Sequence, residues 1–357
     1  MRKESIELLK ELTEASGVSG YETEIKELLK KKLKGSAEVE NDRLGSIIFK
    51  KEGASKDPKI MIPGHMDEIG FMVKHITDEG FIRFLPLGGW YDGVILSQRV
   101  IIKTCKGDVP GVVGSKPPHI MGADEIKKMV EKKDMFIDVG ALSKAEAEEE
   151  FGIRPGDPVI PDSKFQILKN GKTILAKALD DRAGCALFVE VIRALKGVKH
   201  PNTVYGVGTV QEEVGLRGAR TSANVVDPDV CLIAEVGIAA DVPGVSQDQM
   251  PGKLGKGPFI KILDAGMIPN TKLRDLAVAI AKKHKIPYQF AALPGGATDG
   301  GVIHFHSRGV PSLVIGVPTR YIHSHASIIH LDDYENSVKL LLELVKVLDK
   351  RTVASLI

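Results

Sequence analysis

Several apolar runs in this 357-residue chain stop abruptly at acidic or histidine side chains. Residues 203–210 place Val204, Gly206, Gly208 and Val210 in alternation, then meet Gln211-Glu212-Glu213 at once. Val230-Cys-Leu-Ile-Ala234 closes on Glu235, and residues 59–62 lead into His65-Met-Asp67. Short apolar runs of this length read as buried strands. A buried strand that finishes in carboxylates needs a reason, because uncompensated charge is expensive to take out of water.

Helical patterns separate these strands. Ile6, Leu8, Leu9 and Leu12 form one apolar stripe, and Ile25, Leu28, Leu29 and Leu33 form another. Further helices are expected over 182–196, near 273–284 and over 333–348, with strands at 46–50 and 312–317. Such alternation implies a layered α/β domain. The texture changes in the middle of the chain. Short β-type runs at 81–85, 99–104, 108–113, 135–138 and 157–160 alternate with Gly, Pro and Asp turns, around a charged insertion at 123–133. The expected organisation is one α/β domain, residues 1–70 plus 165–357, interrupted by a small β-rich domain, residues 71–164.

Composition removes several functional classes. Lys plus Arg total 49 against 47 acids, a net charge of +2, which leaves no electrostatic footprint for nucleic acid or an anionic membrane. No apolar stretch approaches the ~20 residues of a membrane helix. Cys105, Cys185 and Cys231 match no metal-finger or CxxC spacing and read as small hydrophobes. The charged opening, Met1-Arg-Lys-Glu, is unlike a secretion signal, so a cytoplasmic protein is expected. Six Asn and six Gln beside abundant Lys and Glu lean towards a thermophile.

Five motifs carry the chemistry: His65-Met-Asp67, Asp180-Asp181, Glu212-Glu213, Glu235 and His323. Each has a bland interpretation alone; Asp180-Asp181, for instance, suits a helix N-cap. Four of them follow expected strands and the fifth opens a helix, so all can converge on one rim of an α/β sheet. Two divalent ions sharing a carboxylate need two imidazoles and three acids, plus a free acid as base. His65, His323, Asp180, Glu213 and Glu235 fill the first set, and Glu212 is left as the base. No Gly-x-Ser-x-Gly elbow, Cys/His pairing or P-loop competes; Gly295-Gly-Ala-Thr-Asp-Gly-Gly301 lacks the lysine and reads as a turn placing Thr298 and Asp299 at a helix start.

Read in order, Gly64-His-Met-Asp-Glu-Ile-Gly70, Ala178-Leu-Asp-Asp-Arg-Ala-Gly184, Thr209-Val-Gln-Glu-Glu-Val-Gly-Leu-Arg-Gly-Ala219, Ala234-Glu-Val-Gly-Ile-Ala239 and Val317-Pro-Thr-Arg-Tyr-Ile-His-Ser-His325 resemble the M42 metallo-aminopeptidases, the tetrahedral (TET) peptidases. The resemblance spans essentially the whole chain. It implies that Asp180 bridges two ions, Zn²⁺ or Co²⁺, with His65 and Glu235 completing one site and Glu213 and His323 the other. Glu212 would be the general base acting on a water between the ions, and Asp67 would orient His65. The family usually has Asp where Glu235 stands, a longer arm that bears on metal geometry and on the choice between the two metals. The middle domain resembles the family's PDZ-like dimerisation domain, and assembly from dimers into a tetrahedral dodecamer is implied.

The expected activity is removal of N-terminal residues from short peptides. A related zinc carboxypeptidase or amide deacylase is the alternative, and a glycoside hydrolase or a non-catalytic, metal-stabilised peptide-binding scaffold are weaker rivals that leave His65 and His323, or Glu212, without a role. His304 and His306 read as local packing or surface residues; His325, two beyond His323, could compete with it for metal, but the resemblance favours His323. Trp90, Tyr91 and Lys116-Pro-Pro-His119 suit a pocket rim, a subunit contact or simple turns equally.

Overall fold

The run at Lys59–His65 forms a strand buried along all but its first residue, and Val230–Ile238 is buried along all but its last. Continuous rather than alternating burial requires cover on both faces, and the computed structural model, which describes residues 2–239, 241–246 and 252–357, supplies it. Four parallel strands make the centre of an eleven-stranded sheet, in the order Thr203–Thr209, Lys59–His65, Val230–Ile238, Ser312–Arg320. Antiparallel strands extend both edges, and Phe259–Asp264 pairs antiparallel with Ser312–Arg320 on one side and parallel with Gln289–Leu293 on the other. Helices Arg2–Glu14, Thr23–Leu33, Leu179–Ala194 and Leu331–Val347 cover one face through a core that includes Leu9, Leu29, Phe188 and Leu341. Helix Arg217–Val226 packs Ala219 and Ala223 on the other. The layered α/β fold is as expected.

The second unit is a closed barrel of six strands: Gly70–Ile76, Ile82–Leu87, Phe136–Asp138, Gly107–Gly114, Arg99–Thr104 and Pro158–Pro161. It has its own core around Phe71, Trp90, Val100 and Ile137. Trp90 stacks on Phe71 at 4.7 Å and donates its indole N–H to the Gly70 carbonyl, so it is a core residue of the barrel.

Several sequence-expected boundaries move. Glu235 does not close its strand, which runs on to Ile238. The helix expected from residue 182 begins at Leu179 in hydrogen-bond pattern, yet Asp180 and Asp181 keep non-helical backbone angles and the regular turns start at Arg182. The segment 123–133 forms turns and bends, leading into the short 3₁₀ turn Lys132–Asp134.

One close approach sets the geometry of the rim. A Cβ on Gly64 would lie 2.6 Å from the Gly184 carbonyl carbon and 2.8 Å from the Cys185 nitrogen. Only glycine lets the Lys59–His65 strand meet the helix backbone there, which brings His65 and Asp180 together.

Candidate metal centre

The central strands end in register: Thr209 sits beside His65 on neighbouring strands, and Glu235 is opposite Gly316 on the next pair. Around their carboxyl ends lies a cavity of about 810 Å³ lined by His65, Asp180, Glu212, Glu213, Glu235 and His323. Six of the seven expected site residues therefore face one space; Asp67 lies behind it, fully buried.

Both imidazoles are held by Nδ1 and present Nε2 to the cavity. His65 Nδ1–H donates to the Asp67 main-chain carbonyl at 2.9 Å, and His323 Nδ1–H donates to the Gly89 carbonyl, contributed by the barrel, at 2.7 Å. Asp180 divides its two oxygens between them: Oδ1 is 3.1 Å from His65 Nε2 and Oδ2 is 3.4 Å from His323 Nε2. Glu235 Oε1 and Glu212 Oε2 are each 3.9 Å from His65 Nε2, and Glu213 Oε2 is 3.5 Å from His323 Nε2.

Asp67 stands beside His65 and also supports the turn that carries Glu212 and Glu213. Its carboxylate stands 3.6 Å from His65 Nδ1, farther than its own main-chain oxygen. The carboxylate also accepts the backbone N–H groups of Glu212 (2.9 Å) and Glu213 (3.1 Å) and the Ser19 hydroxyl (2.6 Å). It holds the Glu212-Glu213 turn in place. Asp67→Asn, which cannot accept both amides through its NH₂ side, is expected to lower ion affinity and turnover by roughly 10–100-fold. Calorimetric ion titration and steady-state rates read this; wild-type values in both would show that the carboxylate does not position the pair.

The adjacent aspartates divide their roles. Asp181 accepts the His65 N–H at 3.1 Å and the Gly184 N–H at 2.9 Å, so the capping interpretation holds for Asp181 while Asp180 faces the cavity. Ligand atoms of His65, Asp180 and Glu213, and of His65, Asp181 and Glu235, also lie within 4.8 Å of one another. With both oxygens already accepting backbone amides, Asp181 is better placed as a scaffold than as a ligand. Behind it, Glu68 pairs with Lys177 at 2.6 and 2.8 Å, and Arg182 donates to the Leu12 and Gly17 carbonyls, locking the rim to the first helix.

The crowded, buried glutamates resist ionisation here. Burial pushes Glu213 up to about 8, with the Asp180 charge adding to the effect, and burial raises Glu235 to about 7 against the pull of His65. Burial, opposed by His65, also lifts Glu212 well above the usual carboxylate range. His323 resists burial through Asp180 and Glu213 and rises to about 10. Burial disfavours a charged His65 too, but the surrounding carboxylates outweigh it and raise it well above an ordinary imidazole. A cation among these donors would offset the cost of burying their charge. The buried Glu213 Oε1 finds no hydrogen-bond partner among the described residues. Imidazole nitrogen plus carboxylate oxygen is a donor set that suits zinc and similar divalent ions. The residues fit such a cation.

The chain matches the family model described as M42 glutamyl aminopeptidase over residues 45–340. It belongs to the M42 family. Among curated relatives it is 41% identical to a putative aminopeptidase, FrvX, of Escherichia coli, over 94% of each chain. It is 35% identical to the glutamyl aminopeptidase of Lactococcus lactis, over 99% of each chain. To the lysyl aminopeptidase of Pyrococcus furiosus it is 38% identical, over 96% of this chain and 98% of that one. Among solved structures, a TET aminopeptidase from a marine sediment thaumarchaeote superposes with a TM-score of 0.98 at 49% identity, each chain covered to 99%. The TET1 peptidase of Pyrococcus horikoshii, described as assembling into a tetrahedron or a large octahedral shell, gives a TM-score of 0.85 at 35% identity, with 96% and 100% covered. This M42 chain is a peptide-bond hydrolase with a metal-binding site, and no described helix is long and apolar enough to cross a membrane.

Residues outside the expected set also converge here. The Thr209 hydroxyl donates to Asp299 Oδ2 at 2.6 Å, and Asp299 is buried, with its charge acting on Glu212. The only sequence signal for it was an acid after a Gly-rich turn. Lys261, in the run Phe259-Ile-Lys-Ile, lines the cavity and was missed because its strand reads as plain core. His325 does not line the cavity; it is buried with its ring 5.2 Å from that of Trp90. His304 bonds locally, to the Gly300 carbonyl, whereas His306 reaches Asp227, 79 residues away in the chain.

Proposed function

We propose that this M42 chain is a dinuclear aminopeptidase that releases N-terminal residues from short peptides, with Glu212 as general base. One observation carries the reading. Asp180 turns one oxygen to His65 and the other to His323, each imidazole presenting Nε2, with a separate buried glutamate beside each. His65 and Glu235 would hold one divalent ion, Glu213 and His323 the other, and Asp180 would be shared. Two such ions, Zn²⁺ or Co²⁺, would supply Lewis acidity to the scissile carbonyl and lower the pKa of an attacking water.

The rest falls to the chain. Glu212 is the cavity acid left without an ion to hold, and beside bound ions its carboxylate could accept the water's proton and return it to the leaving amine. Asp67 keeps Glu212 and Glu213 in place through their backbone amides. The carboxylate-rich rim attracts a free α-ammonium, which fits action at the N-terminus. A glycoside hydrolase would leave two inward-facing imidazoles without work.

Three cysteines without disulfides suit a reducing cytoplasm. By kinship with TET assemblies the chain forms a homo-oligomer. We take that oligomer to be a tetrahedral dodecamer of dimers joined through the barrels.

The test is ion stoichiometry. Wild-type protein stripped with chelator should take up about two Zn²⁺ per chain with return of peptidase activity, and His323→Ala about one. Equal uptake by both proteins would remove His323 from the ligand set.

A further inference from the structure

The barrel meets the metal centre at Gly88 and Gly89, in the turn that follows its Ile82–Leu87 strand. Both abut residues assigned to one ion. A Cβ on Gly88 would lie 3.0 Å from Glu213 Oε2, and one on Gly89 would lie 3.0 Å from His323 Nδ1. Of the five assigned ligands, His323 is the least held by packing. Its side chain is 39% exposed, against 16% or less for the other four, and its backbone takes a left-handed φ of +59° that residues other than glycine seldom adopt. The direction of its ring therefore depends on the bond that Nδ1–H donates to the Gly89 carbonyl.

Two glycines in succession give a turn little stiffness of its own. What fixes the Gly89 carbonyl must come from beside it. On the inner side, Trp90 is tied into the barrel core by Phe71 and the Gly70 carbonyl. On the outer side stands Lys132, from the charged insertion at 123–133. Its Nζ donates to the Trp90 main-chain carbonyl at 2.9 Å and pairs with the Asp92 carboxylate, and its backbone N–H donates to Asp92 Oδ2 at 3.0 Å. An ammonium that served only the surface would face water. This one is directed onto the main chain one residue from Gly89.

We propose that Lys132 is a positioning residue for the ion assigned to His323 and Glu213. It acts through the Trp90 carbonyl and Asp92, which set the turn, the Gly89 carbonyl and hence the His323 ring. This rests on the two-ion reading above.

The experiment is calorimetric Zn²⁺ titration of chelator-stripped, full-length protein. Wild type should show two sites. Lys132→Met should leave one as in wild type and weaken the other by about 10–100-fold, the usual effect of losing a partner behind a metal ligand. In a His323→Ala background, where that site is already lost, Lys132→Met should change nothing further, because the two residues act in one line. Should Lys132→Met fail to fold, Asp92→Asn removes the charge partner of the lysine and is expected to weaken the same site selectively. Wild-type affinity at both sites in the variant that folds, equal weakening of both, or a further loss in the His323→Ala background would overturn the proposal. A single site in wild type would instead overturn the two-ion reading, and this assignment with it.

Discussion

Glu212→Gln is expected to lower kcat by about 10³-fold while leaving the fold and ion content as in wild type, the size of effect general acid–base groups commonly contribute. The substitution is nearly isosteric and removes only the ability to take a proton. Glu212 is 10% exposed at its side chain and its backbone N–H is held by Asp67, so an amide can occupy the same place. The assigned ligands, His65, Asp180, Glu213, Glu235 and His323, are untouched, which separates this variant from any change at those positions. Paired measurements decide: single-turnover peptide hydrolysis, and elemental analysis of the purified variant. A variant that loses its ions along with its activity would make Glu212 a ligand rather than the base. One that keeps wild-type turnover would leave the proton-transfer role without an owner.

Stripping the ions should destabilise the protein, and more so as pH rises. In the ion-free fold Glu213 and Glu235 keep their protons up to about 8 and about 7, because burial disfavours their charge. Unfolded, a glutamate releases its proton near 4.3. The stability these two lend is therefore present below that value and lost as pH climbs through 7 and 8. His323, raised to about 10 by Asp180 and Glu213 against burial, acts in the same direction: its contribution is present below about 6.5 and lost as pH passes its folded value. Bound ions reverse the trend, since ligands must be deprotonated to hold them. At an ion concentration 100-fold above Kd each site adds roughly 2.7 kcal/mol. The melting temperatures of loaded and stripped protein should accordingly differ by roughly 5 °C or more at pH 8.5, with the gap narrowing towards pH 5.5. Calorimetric scans of both forms at three pH values read it. A gap that is constant, or widest in acid, would contradict the assigned ligand set.

The rim was legible in the sequence because it is written into strand ends. Apolar runs that stop at or a few residues before His65, Glu212 and His323 announce both a sheet and a reason for it, and the short spacing from strand to side chain transfers directly into space. Glu235 was legible as a residue of the cavity rim but not as a strand position, since nothing in Val236-Gly-Ile238 distinguishes a continuing strand from a turn. What local pattern cannot carry is the partner across the chain. The Gly89 carbonyl that orients His323 comes from a residue 234 positions earlier, on the barrel. The carboxylate of Asp67 stands near His65 as its sequence position suggests, but nothing local shows that it also accepts amides 145 and 146 residues away. Lys261 stayed hidden for the opposite reason: one lysine in an apolar strand gives a periodicity reading no cause to place it beside a cavity.

The account's central claim is tested most directly by following amino-acid release from matched peptides with free and N-acetylated termini, as Zn²⁺ or Co²⁺ is titrated into stripped enzyme. The prediction is release from free N-termini alone, absent without ions and rising until about two ions are bound per chain. Release from acetylated peptides, or full activity in the continued presence of chelator, would contradict it.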